Sequence, residues 1–317
     1  MTTDSPSGVA ERADTFEEDV VAGLGSTPKR IAAKWFYDAE GSRLFEAITR
    51  LPEYYLTNAE LGILRVHSAE IARLCGPEAL IIEYGSGSST KTRLLLDHLE
   101  RQAGYVPVDI ACETLAASAQ AIRTAYPALA VMPLCVDYTE PLELPELPPH
   151  RRRVAFFPGS TIGNFEPVEA SGFLESVAEA VGHGGGMVLG VDMKKDRSTL
   201  EAAYNDEQGV TAEFNRNVLV RINRETGADF RPHAFRHVAL YNDEAGRIEM
   251  HLESAVDQVV RVSGHEFALA AGERIHTENS YKFSVQDVHS LAESAGFRVV
   301  EHWTDQSQLF GVFYLTC

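Results

Sequence analysis

Short apolar segments alternate with helical patterns through the middle of the chain. Five of them predict buried strands: the run beginning at Ile81, Tyr105–Ile110, Ala130–Val136, Val154–Pro158 and Gly184–Val191. Helical patterns accompany them: Ala59–Leu74, for which Thr57 and Asn58 are suitable N-caps, Thr90–Arg101, Thr114–Tyr126 and one ending near Val181. Strands that alternate with helices predict a parallel sheet with right-handed crossovers, so the predicted fold class is α/β.

The alternation breaks near Arg197. A helical pattern over Leu200–Val218 is followed by three predicted strands, which are His237–Tyr241, Ile248–Ser254 and Gln258–Val262. This segment predicts an inserted α+β subdomain. Regular winding resumes with a helix over Ser284–Ala295, for which Ser284 is the cap, and the chain closes with a pair of strands, Phe297–Trp303 and Phe310–Leu315.

Two domains follow from this pattern. One is predicted to comprise residues 14–60 and 197–286, and the other residues 61–196 and 287–317. Residues 1–14 are polar and acidic, which predicts disorder.

Composition excludes several classes of protein. The 317 residues, 44% of them hydrophobic, suffice for a full core, and the net charge of −18 argues against a nucleic-acid partner. The cysteines are scattered without a C-x-x-C pair, so neither a zinc site nor a disulfide framework is predicted. No run suits a signal peptide or a membrane span of about 18 residues. We therefore expect a cytoplasmic protein with no membrane partner and no metal. A monomer is our expectation for its oligomeric state, although the sequence does not determine that state.

The segment Ile81–Leu96 carries the first chemical signal. It turns from an apolar run through Gly85-Ser86-Gly87 into a helical pattern, which suits a nucleotide-like ligand because glycines allow close backbone approach. A dinucleotide site places a third small residue where this chain has Thr90. That difference, with Glu83 before the loop, favours S-adenosylmethionine (SAM) over NAD. An ordinary turn also fits the spacing. The closing strand pair further favours a methyltransferase sheet.

Polar residues follow several predicted strands at the edge where open α/β sheets bind ligands. Glu83, Asp109, Asp137 and Asn164 each come at the carboxyl end of a strand. Asp109 lies about twenty residues past the glycine loop, where an acid accepts hydrogen bonds from ribose hydroxyls. The sequence therefore predicts one pocket at this edge.

Six aromatic residues fall between Trp35 and Tyr55. They suit a hydrophobic cap packed on the domain, because aromatic side chains are mostly buried. They also suit a lid whose tyrosine hydroxyls face a pocket. The two readings remain open at the level of the sequence.

Four motifs are specific in their order and spacing: KWFYDAEGSRLFEAITRLPEYY, EYGSGSSTKTRLLLD, FFPGSTIGNFEP and TENSYKF. Together they resemble the SAM-dependent histidine Nα-methyltransferases of ergothioneine biosynthesis, from about Lys34 to Tyr314. The resemblance implies a Rossmann-like class I methyltransferase sheet that binds SAM and an inserted α+β domain that binds the substrate. It also implies three methyl transfers from SAM to the α-amino group of L-histidine, giving N,N,N-trimethylhistidine (hercynine).

The resemblance implies contacts to the amino-acid substrate. Asn164 and Tyr204 would hold its carboxylate and amine, since an amide and a phenol donate hydrogen bonds without adding a charge. Glu278 and Ser280 would grip the imidazole, where a carboxylate and an N–H form a charge-assisted bond. Met250 would pack against the ring. Without the resemblance, Asn164 is better read as a loop cap, Met250 as a core residue and Tyr204 as an ordinary residue of a helix surface. Glu278 suits a surface position at a strand end as well as a site.

Tyr37 and Tyr54 match positions that line the amine end, and Gly159 is a further substrate-binding candidate. Tyr37 would help to orient or deprotonate the ammonium, so the catalytic set implied is Tyr37, Asn164 and Tyr204. The SAM contacts implied by the resemblance are Tyr37, Gly85, Ser86, Gly87, Lys91, Asp109, Asp137 and Tyr138.

The chain departs from the family pattern at Asn279 and Tyr281, beside the expected imidazole contacts. The spacing from Met250 to Glu278 is also slightly short. Side-chain specificity therefore stays open, with tryptophan as an alternative substrate. A non-catalytic module that binds SAM or a dinucleotide is the alternative from another class.

Overall fold

The computed structural model describes residues 12–87, 89–140 and 142–317, with side chains from Phe16 onward. Its α-helices are α1 (Arg12–Gly25), α2 (Ala39–Ile48), α3 (Tyr55–Cys75), α4 (Thr90–Leu96), α5 (Cys112–Ala125), α6 (Pro167–Val181), α7 (Arg197–Tyr204), α8 (Val210–Thr226) and α9 (Val285–Ser294). Its strands are β1 (Ala79–Tyr84), β2 (Gly104–Asp109), β3 (Leu134–Cys135), β4 (Arg152–Phe157), β5 (Gly186–Asp192), β6 (Phe235–Asn242), β7 (Arg247–Ser254), β8 (Gln258–Val262), β9 (His265–Leu269), β10 (Arg274–Tyr281), β11 (Arg298–Thr304) and β12 (Phe310–Thr316). Within these described ranges, no helix is long and apolar enough to cross a membrane.

The chain divides into two compact units. The first contains the described chain up to Ile48 together with Tyr204–Leu240 and Glu249–Glu278. The second contains Thr49–Ala203, Tyr241–Ile248 and Asn279–Cys317. The expected functional division, with boundaries at residues 60, 197 and 286, stays a prediction.

The second unit is built on a seven-stranded sheet in the order β11-β12-β5-β4-β1-β2-β3. β1 pairs in parallel with β2 and with β4, and β4 pairs in parallel with β5. β12 is antiparallel to β5 and to β11, which confirms the predicted closing hairpin and the α/β class. The strand order reverses between β1 and β4. The carboxyl ends of these two neighbours are therefore the expected place for a ligand.

The central strands are apolar because both of their faces are covered. Every residue of β1 and of β5 is buried, as a parallel sheet with helices on its faces requires. α6 and α9 contribute Phe173, Val177 and Val288 to the same hydrophobic core as β1. α3 packs against β5 and β12. This core fixes the strand ends that carry the polar candidates.

The first unit combines helices with antiparallel strands. α8 contacts α2 and β8, and α1 contacts β9. β8 and β9 form a hairpin, while most of the three-stranded sheet β10-β7-β6 also belongs to this unit. Buried and partly exposed residues alternate along β7, with Ile248, Met250 and Leu252 buried, as its sequence predicts.

Three helix boundaries differ from the prediction. α3 begins at Tyr55 rather than at Ala59. Leu56 is buried and the Tyr55 hydroxyl donates to Asp192, and these two contacts extend the helix by four residues at its N-terminus. α4 ends at Leu96 rather than Arg101. The expected single helix over Leu200–Val218 is two helices, because the Asp206 carboxylate accepts hydrogen bonds from the first backbone amides of α8 and caps a new helix there.

The predicted disorder of the first residues is wrong for residues 12–14, because α1 begins at Arg12. Residues 1–11 lie outside the described ranges.

The strand prediction also has errors. The expected third strand over Ala130–Val136 shrinks to β3, with one isolated bridge at Val131. β9 and β10 were not predicted as strands. β10 carries the TENSYK motif, whose mixed polar composition lacks a clear alternation of apolar and polar residues.

Cys112 and Cys135 form a disulfide, with Cα atoms 5.2 Å apart. The expectation from the sequence that no disulfide framework is indicated is therefore corrected by this pair. The two residues are 23 positions apart, and the parallel pairing of Asp109 with Cys135 brings them together. Spacing along the chain carries no sign of such a contact. Cys75 and Cys317 are free thiols.

Candidate active site

The loop after β1 joins the end of β2 through a backbone contact. The Gly87 N–H donates to Oδ2 of Asp109 at 3.1 Å, and Oδ1 accepts from the Ala111 N–H at 2.9 Å. Gly87 has φ of 45° and Gly85 has φ of 70°, a region that side chains disfavour. Burial raises the pKa of Asp109, while its backbone donors oppose this. The predicted pairing of a glycine loop with a downstream acid is thus present in the structure.

Two further cofactor candidates lie at this loop. Ser86 is buried, and within the described part of the chain its hydroxyl has no hydrogen-bond partner. A Cβ placed on Gly85 would lie 3.7 Å from the hydroxyl oxygen of Tyr138. Tyr138 packs edge-on against Tyr84. This loop contacts an acid through Gly87 and an aromatic side chain at Gly85, and it carries a buried hydroxyl with no hydrogen-bond partner among the described residues. Such a loop fits a nucleoside-bearing ligand such as SAM.

Asp137 has a local role in the structure. Its Oδ1 accepts from the Thr139 N–H at 3.0 Å and from the Thr139 hydroxyl at 2.6 Å. These bonds form a turn directly before Tyr138 enters the loop. The structure therefore shows how Asp137 shapes the segment expected to contact adenine.

Glu83 faces the protein interior. It is 1% exposed and accepts hydrogen bonds from the hydroxyls of Thr92, at 2.5 Å, and Tyr105. Burial raises the pKa of Glu83 to about 8, against the effect of these donors. Through these two hydrogen bonds, Glu83 connects β1 with α4 and with β2, the elements on either side of the glycine loop.

Lys91 and Gly159 meet at a glutamate that sequence reasoning missed. Glu60, inside α3 and 1% exposed, lies 2.5 Å from the Nζ of Lys91. Its oxygens also accept the Gly159 N–H at 2.9 and 3.0 Å. Glu60 thus connects the first turn of α4, directly after the glycine loop, with the loop after β4. No local signal marks it, because a glutamate inside a helix is usually exposed.

The loop after β4 brings Asn164 beside the end of β10. Thr161–Asn164 forms a short 3₁₀ helix. A Cβ on Gly163 would lie 2.8 Å from the Tyr281 carbonyl oxygen and 3.1 Å from its nitrogen, so only glycine permits this backbone contact. Asn164 is partly buried. The structure therefore brings two of the expected substrate motifs together.

Asn279 and Tyr281, which depart from the family pattern beside the expected imidazole contacts, both contact Glu166. Asn279 Nδ2 donates to Oε1 of Glu166 at 2.9 Å, and the Tyr281 hydroxyl donates to Oε2 at 2.5 Å. Arg247 pairs with the same carboxylate at 2.8 Å. Side chains alternate along a strand, so Ser280 lies on the other face. The two departures from the family pattern belong to an ion-pair cluster on the face away from Ser280.

A second buried cluster surrounds Asp192 at the end of β5. Lys282 and Lys195 lie 2.8 and 2.5 Å from its carboxylate, and the Tyr55 hydroxyl is 2.9 Å from both oxygens. Lys282 also donates to the Ser280 hydroxyl at 2.7 Å. Desolvation lowers the pKa of Lys195 to about 8. Sequence reasoning missed this cluster, although Ser280 is one of its members.

Four candidates lie in the first unit: Tyr37, Tyr204, Met250 and Glu278. Tyr37 packs edge-on against Phe45, with ring centroids 5.6 Å apart. Tyr204 is buried, and its carbonyl accepts a bond of 2.8 Å from the His237 ring. Met250 is 2% exposed, and its carbonyl accepts from the Thr277 hydroxyl at 3.0 Å.

Tyr54 lies in the second unit, directly before α3, and is largely buried. Among the described residues, no group of three or more histidine, cysteine, aspartate or glutamate side chains is arranged to hold a metal ion. The candidates therefore divide between a SAM-type loop with Asn164 and Ser280, and a set in the first unit.

Known proteins are similar in sequence to this chain over nearly its whole length. A family model described as "Histidine-specific methyltransferase, SAM-dependent" matches residues 16–317. A histidine N-alpha-methyltransferase from Mycobacterium tuberculosis is 45% identical over 302 residues, which cover 94% of this chain and 93% of that protein. A protein of the same name from Mycolicibacterium smegmatis is 44% identical, covering 95% and 94%. Ergothioneine biosynthesis protein 1 from Neurospora crassa is 31% identical, covering 87% of this chain and 32% of that protein.

Proposed function

Because the chain belongs to the family of histidine-specific, SAM-dependent methyltransferases, we propose that it methylates the α-amino group of L-histidine three times. It is a methyltransferase, SAM is its methyl donor, and histidine is its substrate. The product after three transfers is N,N,N-trimethylhistidine, and the similarity to an ergothioneine biosynthesis protein supports a place in that pathway.

The observation that carries the proposal is the contact between the glycine loop and Asp109. With Oδ2 held by the Gly87 N–H and Oδ1 by the Ala111 N–H, the carboxylate still has lone pairs that can accept from two ribose hydroxyls. The buried Ser86 hydroxyl can donate to the same ligand. Gly85, Lys91, Asp137, Tyr138 and Tyr37 complete the proposed cofactor contacts.

SAM supplies an electrophilic methyl group on a sulfonium. The protein's task is to hold the attacking amine in line with the methyl–sulfur bond, for which positioning alone is worth up to roughly 7–11 kcal/mol. Each transfer forms one N–C bond as the S–C bond breaks. The ammonium must lose a proton before it attacks, and we assign its orientation to Tyr37.

The proposed substrate contacts are the candidates that the sequence indicates. Asn164 and Tyr204 hold the carboxylate and amine, with Tyr54 and Gly159 beside them. Glu278 and Ser280 bind the imidazole, and Met250 packs against the ring. The domain of residues 14–60 and 197–286 would then choose the substrate, and that of residues 61–196 and 287–317 would bind SAM. We further propose a cytoplasmic monomer.

Incubation with SAM and an equimolar pool of amino acids, followed by mass spectrometry, tests this proposal. Histidine is expected to gain one, two and finally three methyl groups, and no other amino acid should change. Methylation of tryptophan instead would replace the substrate. A pool in which nothing gains mass would leave only a SAM-binding module, which calorimetry with SAM against NAD would then characterise.

A further inference from the structure

Lys282 is a fully buried ammonium at the end of β10. Its Nζ lies 2.8 Å from Oδ2 of Asp192 and donates to the Ser280 hydroxyl at 2.7 Å. A buried ammonium costs several kcal/mol unless it is paired, and Asp192 provides that pair. Asp192 is also held by Lys195 at 2.5 Å and by the Tyr55 hydroxyl at 2.9 Å. The contact with Asp192 therefore fixes the position of the Lys282 ammonium.

This arrangement decides how the Ser280 hydroxyl can be used. An ammonium has donors only, so the oxygen of Ser280 accepts from Lys282. The proton of the hydroxyl must then point away from Nζ. A serine without such a partner rotates freely and can donate or accept. Lys282 occupies one of the two lone pairs of the Ser280 oxygen, and the hydroxyl proton, directed away from Nζ, is placed to donate to a ligand.

Glu278 lies two residues before Ser280 on the same strand, so the two share a face of β10. The intervening Asn279 contacts Glu166 on the other face. An ionised carboxylate can only accept, while Ser280 donates. A neutral imidazole carries one N–H and one bare nitrogen, and it matches one acceptor and one donor.

We propose that Lys282, fixed by Asp192, is a positioning residue that makes Ser280 donate to the bare nitrogen of the substrate's neutral imidazole. Glu278 accepts the N–H of the other nitrogen, so one tautomer is selected. This inference rests on the proposed function, because it takes histidine as the substrate. An indole or an imidazolium offers the Ser280 hydroxyl no acceptor, so each forms one hydrogen bond fewer than a neutral imidazole does.

A double-mutant cycle tests the coupling. Lys282→Met keeps Asp192 paired with Lys195 and Tyr55, so the carboxylate is not left alone. The variants Lys282→Met, Ser280→Ala and the double variant are compared by KM and kcat for histidine and by calorimetry with SAM. Each single change is expected to raise KM about tenfold with a smaller effect on kcat. In the Ser280→Ala background, Lys282→Met should raise KM no further.

Lys195→Met is the matched control, since Lys195 pairs with the same carboxylate and Ser280 is not its partner. Its effect on KM should add to that of Ser280→Ala. Additive effects for Lys282→Met, or an unchanged KM, would overturn the inference while leaving histidine methylation intact. A wild-type protein that does not methylate histidine would overturn the proposed function itself.

A measurement on the wild-type protein decides the matter if Lys282→Met does not fold. The probe is a histidine analogue with a pyrrole ring, which keeps the N–H and replaces the bare nitrogen by C–H. Its KM is expected to exceed that of histidine at least tenfold, and Ser280→Ala should remove most of this difference. Equal KM values of the wild-type protein for histidine and for the pyrrole analogue would contradict the proposal.

Discussion

Both carboxylate oxygens of Glu60 accept the backbone N–H of Gly159, at 2.9 and 3.0 Å. The same group lies 2.5 Å from the Nζ of Lys91. One side chain of α3 therefore contacts the first turn of α4, directly after the loop expected to bind SAM, and also the loop that leads to Asn164. The arrangement explains why a helix distant in sequence from both loops bears on the chemistry.

Replacement Glu60→Gln should weaken the contacts with Lys91 and with the Gly159 N–H. A neutral amide forms no ion pair with Lys91, and it has one acceptor oxygen where the carboxylate has two. We expect a loss of about 2 kcal/mol in the free energy of unfolding and a clear drop in SAM affinity. Urea unfolding and calorimetry measure the two. Glu175→Gln, an exposed change on α6, is the control and should leave both unchanged. Retention of full SAM affinity in Glu60→Gln would separate this glutamate from the cofactor loop.

Replacement Asp109→Asn should lower SAM affinity tenfold to a hundredfold, or about 1–3 kcal/mol, because a charged acceptor for the ribose hydroxyls is lost. Calorimetry with SAM measures the change. Glu175→Gln, the exposed change on α6, is again the control and should leave SAM affinity unchanged. Equal SAM affinities in the two variants would argue that Asp109 is only structural.

The stability of the protein should depend on pH through Glu83. Burial raises the pKa of Glu83 to about 8 from a usual value of 4.5, so the folded chain keeps a proton that the unfolded chain loses within this window. The contribution is complete below pH 4.5 and is lost as the pH rises towards 8. Relative to wild type, Glu83→Gln should therefore become more stable with rising pH, by up to about 1.4 kcal/mol per unit. Urea unfolding between these limits checks it, and parallel stability curves would contradict it.

The two faces of β10 should separate in their effects on catalysis. Glu278→Ala is expected to raise the KM for histidine by a factor of about ten or more, because the imidazole N–H loses its acceptor. Asn279→Ala removes a bond to Glu166 at 2.9 Å and should lower stability with little effect on that KM. Steady-state kinetics and thermal unfolding of both variants give the comparison. A larger KM effect at Asn279 would reverse the assigned faces.

Reduction of the Cys112–Cys135 disulfide should destabilise the protein. The bond closes a segment of 23 residues, for which the loop-entropy model gives about 3 kcal/mol. Urea unfolding with and without a thiol reductant measures this difference. Cys112→Ser should show the same loss and no further response to reductant, whereas Cys75→Ser should still respond. An identical response in all three proteins would point to another cause.

The elements with strong local signals could be predicted from the sequence. Ser284 caps α9 as expected, with Asp287 completing a capping box. The closing strand pair and the glycine turn were also found where apolar runs and small residues mark them. Thr57 and Asn58 misled the prediction of α3, because the buried Leu56 and the hydroxyl of Tyr55 extend the helix beyond its best cap.

The missed residues share a physical reason. Glu60, Asp192 and Lys282 are charged side chains in the interior, and their partners come from elements far away along the chain. A pattern read along the sequence assigns such residues to the surface. The proximity of Asn164 to the end of β10 likewise depends on backbone packing at Gly163, which has no signature of its own.

The reversal of strand order between β1 and β4 has a consequence for the precision of the reaction. The loop with Gly87 and the loop with Asn164 leave adjacent, hydrogen-bonded strands, whose separation is about 4.8 Å in any β-sheet. The geometry of the sheet therefore fixes the distance between the two loops at the points where they leave it. Loop sequences can vary without shifting these strands, so the two loops keep the spacing that they acquire when the chain folds.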